Sequence, residues 1–167
     1  MRWLRFTTLV LFAAVLQAGV LANMNIAPNL LLILLVFFCI YGDSGQAIIT
    51  SFAIGFAADL VGSPMPMGPY TISFGLLGTA LAYVHHIVNV KKMPYQGLVI
   101  FVTAFLAGAL AHILALLKGR PLAPNLWTGL FGMSTYSALV GPFLFLPSAW
   151  WMRIKTGRLA RQAYPAR

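Results

Sequence analysis

Acidic residues are almost missing from this sequence. Among 167 residues there is no glutamate, and the two acids are Asp43 and Asp59, so paired-carboxylate acid–base chemistry has little to work with. Intramembrane proteolysis by two aspartates fails as well, because these two fall at opposite ends of one apolar segment. Charge of either sign is scarce: 8% of residues are charged, against about 25% in a soluble domain, too few to cover a water-exposed surface. One cysteine excludes an intramolecular disulfide and any cysteine-based structural metal site. Cys39 lies in an unbroken apolar run and reads as a small buried hydrophobe. No glycine-rich phosphate loop, His-Glu-x-x-His pair or nucleophile elbow is present. The expectation is a chain with no catalytic residues, no cofactor and no metal.

What the chain has in abundance is apolar side chains, 60% of the total, with a mean hydropathy of +0.88. Most of its surface is therefore expected to face lipid. Backbone in lipid must satisfy its own hydrogen bonds, as helices or as a closed barrel. Barrel strands read as short alternating segments, whereas these apolar runs are long and unbroken. The predicted fold is all-α, a single six-helix transmembrane bundle with spans at about 6–22, 29–41, 46–61, 69–90, 95–117 and 126–152, followed by a basic tail at 153–167. Prolines agree with this division: Pro64, Pro66, Pro121 and Pro124 fall in connections, and Pro69 and Pro94 open helices, where a missing N–H costs nothing. Pro142 and Pro147 fall inside the last span and predict a kink there.

The formal charge of +9 acquires meaning once it is placed along the spans. With the N-terminus in the cytoplasm, Arg2, Arg5, Lys91, Lys92, Arg153, Lys155, Arg158, Arg161 and Arg167 all lie inside, and Lys118 and Arg120 lie outside. That asymmetry sets orientation and predicts a multi-pass protein of the bacterial inner membrane with both termini cytoplasmic. The basic tail then meets anionic lipid head groups; it has no aromatic interleaving and no motif for nucleic acid. Two alternatives stay open. The first apolar run could be a cleaved signal peptide. The spans flanking Gly42-Asp43-Ser44-Gly45 are short for full crossings and could form a re-entrant pair.

Asp59 is the most informative polar residue. A carboxylate near the end of a membrane helix is costly and usually faces protein or a water-filled cavity. Ser51, Gly55 and Asp59 recur at four-residue spacing and form one small, polar helix face suited to close packing. Asp59 reads either as an interfacial group in head-group water or as a buried anchor near the outer surface. Ala104, Gly108 and His112 make a matching face on the fifth span, with His112 at a depth similar to that of Asp59. The expectation is an outer polar cluster of Asp59 and His112 with Lys118 or Arg120 nearby, and the alternative for His112 is a ring satisfied by a carbonyl of a neighbouring helix. His85 and His86, adjacent on a helix, diverge by about 100° and read as interfacial polar groups. Asp43 and Ser44 read as an N-cap for the third helix, or as a functional re-entrant tip.

The segment running Pro28-Asn29-Leu30, the leucine-rich run, Gly42, Gly45, then Gly55-Phe56-Ala57-Ala58-Asp59-Leu60-Val61-Gly62 and Gly68 resembles the rod shape-determining protein MreD family. Chain length, an arginine-bearing start, six apolar spans and a basic end are similar too. The resemblance implies a non-enzymatic scaffold of the bacterial wall-elongation complex, which maintains cell shape by assembling lateral peptidoglycan synthesis. It also implies the partners MreC, MreB, the glycosyltransferase RodA and its partner transpeptidase. That family is similar in turn to the substrate-binding subunits of energy-coupling-factor transporters, where an Ala-x-x-x-Ala face docks a coupling subunit; Ala14, Ala18 and Ala22 form such a face here. The competing function is accordingly a substrate-binding subunit of a vitamin-type transporter. It would need a cavity near Asp59 and His112, with Tyr70, Trp127 and Tyr136 as the aromatic candidates to line it.

Overall fold

The computed structural model describes residues 2–19, 27–62, 68–84, 93–119 and 125–152. Six helices follow one another: α1 (Arg2–Gly19), α2 (Leu30–Tyr41), α3 (Ser44–Gly62), α4 (Pro69–Val84), α5 (Met93–Leu117) and α6 (Leu126–Met152). The expected spans and these helices coincide to within a few residues wherever both are described. The predicted stretches at 20–22 and 85–90, with His85, His86 and Ala22, lie outside the described residues, as do Arg120 and the tail.

α2 lies at the centre. Its twelve residues are apolar on every side, and a helix without a polar face has to be covered all round. Leu31 through Ile40 are all buried, and α2 packs against each of the other five helices. At 1.5 Å per residue it is about 18 Å long, well short of a hydrocarbon core of about 30 Å. α3 is longer, 19 residues or about 28 Å, though its apolar part, Gly45–Val61, is also among the shorter ones. α5 and α6 are long and apolar enough to cross a membrane over Tyr95–Leu117 and Leu126–Trp151, and the apolar parts of the other helices are shorter. α6 continues as helix through Pro142 and Pro147.

Aromatic rings lock α2 to its neighbours at the end where α1 begins. Phe38 meets Phe6 edge to face at 5.0 Å and Phe37 meets Phe145 at 5.4 Å, arrangements that add about 0.5–1.5 kcal/mol each beyond the area they bury. Tyr41 stacks close by, and its hydroxyl accepts from Gln96 Nε2 of α5 at 3.2 Å.

The most extensive seam is between α3 and α4, and it is built from absent side chains. A Cβ added at Gly55 would lie 2.8 Å from both the Thr71 Cα and the Tyr70 carbonyl oxygen. These are backbone atoms that cannot swing aside. At Gly78 of α4 an added Cβ would collide with the Ser51 side chain of α3, and at Gly75 with the Phe52 ring. Small residues let the two backbones approach until dispersion and short hydrogen bonds hold them.

Gly55→Ala is therefore expected to cost about 1–3 kcal/mol, the range for forcing a methyl into a filled seam. Gly45→Ala on the same helix, where nothing lies within 4 Å of the added Cβ, should cost none. Equilibrium unfolding of the two purified variants in detergent checks the contrast.

Candidate functional site

Buried polar side chains are spread through the interior; two groups of them meet at helix starts, while Ser134 Oγ of α6 has no hydrogen-bond partner among the described residues. Free N–H groups at a helix N-terminus need acceptors, and inside an apolar bundle water does not supply them.

The first start is that of α4. Asp59, on the last turns of α3, is 5% exposed. One carboxylate oxygen accepts from Tyr70 N at 3.0 Å; the other accepts from Thr71 N at 2.8 Å and from the Thr71 hydroxyl. A neighbouring helix thus provides the cap that a serine or aspartate just before the helix would ordinarily provide. Local sequence explains why help is needed. Gly68 holds the cap position with a φ of +119, a conformation open to glycine, and it has no side chain to fold back. Pro69 follows at the first helical position, where its missing N–H leaves one donor fewer to satisfy. The negative carboxylate also sits at the positive end of the α4 dipole.

Lys118 reaches the same place from α5, with its Nζ 3.1 Å from where a Cβ on Gly68 would sit. α5 ends there because Gly119 takes a φ of +82 and closes the helix with its N–H on the Leu116 carbonyl at 2.9 Å. Asp59 and Lys118 therefore bracket the first turn of α4 from two sides. His112 makes a different contact: its Nδ1 is 2.8 Å from the Gly108 carbonyl oxygen, one turn earlier on its own helix. The expected alternative is a carbonyl of a neighbouring helix; the carbonyl met here belongs to α5 itself.

The second start is that of α2. Asn29 caps it with Oδ1 accepting from Leu32 N at 3.1 Å. Ser137 Oγ of α6 accepts from Asn29 N at 2.9 Å, and Gln17 Oε1 of α1 accepts from Leu31 N at 3.3 Å. Ser137 lies eleven residues into α6, so α2 begins about 16 Å below the start of α6. Neither Gln17 nor Ser137 stood out in the sequence. Each is one polar residue in an apolar stretch, and the signal that identifies it is the depth of the α2 start, which spacing along the chain does not contain.

Of the small-residue faces, Ser51 and Gly55 lie in the α3–α4 seam, with the Ser51 hydroxyl also donating to the Ala47 carbonyl at 2.6 Å. Ala104 is fully buried, and Gly108 lies against Leu130 of α6. Ala14 is half-buried and Ala18 exposed. Asp43 is exposed, and its carbonyl accepts from Ala47 N at 2.8 Å, the backbone bond that opens α3. Tyr70 packs on Phe74, while Trp127 and Tyr136 are exposed on α6.

A bundle that is all helix over the described residues, with two helices long and apolar enough to cross a membrane and a buried acid that caps a neighbouring helix, has the features of a helical membrane protein. The family model of the rod shape-determining protein MreD matches residues 1–146, and the chain belongs to that family. No curated protein matches it. No solved structure matches it either, so the expected likeness to energy-coupling-factor subunits has no support from this side.

Asp59→Ala should lower stability by about 1–3 kcal/mol for each buried donor it leaves dry, with Asp59→Asn, which keeps one acceptor oxygen, falling between it and the parent. Because Thr71→Val removes one of the three donors, its hydroxyl, and leaves the backbone N–H, the loss in Asp59→Ala combined with Thr71→Val should be less than the sum of the single losses. A double-mutant cycle of unfolding free energies in detergent measures this.

Proposed function

We propose that this chain is a non-enzymatic scaffold of the bacterial wall-elongation complex, held in the inner membrane as a multi-pass protein with cytoplasmic termini. The observation that carries the reading is the family match over residues 1–146, which makes rod-shape determination the role to be explained. The arrangement of the interior supports the scaffold form of that role. Asp59, the one buried acid, has both oxygens taken up by three donors of α4 and is not poised as a base. Ser137, Gln17 and Asn29 are spent on the start of α2. A protein whose polar groups hold its own helices in place acts on others through its surface, and that surface is rich in large apolar side chains, among them Leu11, Phe12, Leu98, Leu139 and Phe143. Helices of membrane partners suit such faces. In this reading the single-span protein MreC is the first partner, with MreB, RodA and its transpeptidase in the larger assembly. Asp59, with Lys118 near the same helix start, stabilises that end of the bundle.

Depletion in the source bacterium, followed by microscopy, tests the reading. Rods should round and swell as the protein is diluted, and MreC should co-purify with the tagged chain from native membranes. Normal shape accompanied by a vitamin requirement would replace the scaffold with the transporter reading.

A further inference from the structure

A partly open groove of about 380 Å³ lies between α1, α2 and α6. Leu9, Phe12 and Leu16 of α1 form one wall, Leu34 of α2 the floor, and Pro147 and Trp151 of α6 the other wall. Taking the roughly 30 Å³ of one water in the liquid as a yardstick, the same space holds about a dozen methylene groups, most of one acyl chain.

The groove also has a polar end. Arg5, Leu9, Phe12 and Leu16 follow one another at intervals of four, three and four residues on α1, which places them on one face with Arg5 one turn beyond the last apolar rung. α6 runs the opposite way and brings Trp150, 80% exposed, and Trp151, 46% exposed, to that same end. Tryptophan favours the level of the lipid head groups because its ring is apolar and its N–H is polar. Arg5 is half-buried and makes no ion pair with a described residue. The reason lies in the composition: both acids of the chain are on or beside α3, Asp59 is engaged with α4, and α1 has no acid in its first turn. Arg5 does not itself line the groove; its register places it one turn beyond Leu9 on the same face of α1, at the end where the tryptophans lie, and a cation there has the charge complement of a lipid phosphate.

We propose that this groove is a binding site for one anionic phospholipid, with an acyl chain along Leu9, Phe12 and Leu16 and the phosphate at Arg5. The site does not depend on the scaffold reading, since it rests on the groove formed by α1, α2 and α6. A guanidinium can hold two phosphate oxygens at once, so the preference is for a head group whose charge is not cancelled by an attached amine.

The test places a photo-crosslinking phenylalanine analogue at Phe12 in the full chain. The protein is reconstituted in phosphatidylcholine nanodiscs containing a minor fraction of phosphatidylglycerol, and the adducts are weighed by mass spectrometry. Phosphatidylglycerol should be enriched several-fold over its share of the bilayer. The enrichment should vanish in Arg5→Gln and persist in Arg5→Lys, with helix content unchanged by circular dichroism. Adducts in proportion to bilayer composition in the parent chain would overturn the proposal, and this arm needs no variant at Arg5 to fold. Photolysis in native membranes is a second, independent arm: lipid adducts at Phe12 support the site, and a protein adduct in their place makes the groove a docking surface for a partner helix and overturns it.

Discussion

Everything in this bundle follows from the need to start helices where there is no water. A buried N–H without an acceptor costs about 1–3 kcal/mol, and a short helix sunk into an apolar interior presents several at once. α2 is such a helix, covered on every side along Leu31–Ile40. Its start is tied by Ser137 from α6 and Gln17 from α1, so the two helices that flank it are fixed in depth by the same bonds that make its burial tolerable. The start of α4 is tied to α3 through Asp59. The helices joined in this way have their register set by backbone donors looking for partners, and apolar packing, which is indifferent to small slides along a helix, fills in around them.

The glycine seam between α3 and α4 belongs to the same logic. Asp59 reaches Tyr70 and Thr71 with both oxygens because Gly55, one turn earlier, lets the α4 backbone come so close that a Cβ at Gly55 would touch Tyr70 and Thr71. A wider seam would leave the carboxylate short of both N–H groups. The close approach and the cap are therefore one device, and Ser51 with Gly78 continues it one turn further along.

Much of this was legible from residue spacing. Six apolar runs separated by prolines and glycines located the helices, and the four-residue interval of Ser51, Gly55 and Asp59 marked the face that α3 turns to its neighbour, because helical periodicity depends on sequence alone. Depth and partner were harder to read. Counting 1.5 Å per residue put Asp59 and His112 at similar levels, yet level says nothing about azimuth, and the carbonyl that the His112 ring meets is one turn back on its own helix. Gln17 and Ser137 escaped notice for the same reason: their role exists only once α2 is known to begin deep inside. Even the continuous apolar character of α2, read as a short span, carried a further message, since a helix with no polar stripe has no side to offer water.

The division between interior and surface has a consequence for how such a protein acts with others. Several interior polar groups hold helix starts in place, and in the scaffold reading association falls to the apolar side chains of the surface. In a bilayer, apolar faces are not driven together by exclusion of water, because lipid tails are as apolar as leucine; association there depends on shape and on the few polar groups at the edges. Where the surface is closely packed and smooth, a partner helix competes with lipid on nearly equal terms. Where it is grooved, as between α1 and α6, whatever fills the groove decides the shape that a partner meets. A bound lipid at Arg5 would then form part of the contact surface, and the affinity of a neighbouring helix would vary with the anionic content of the membrane around it.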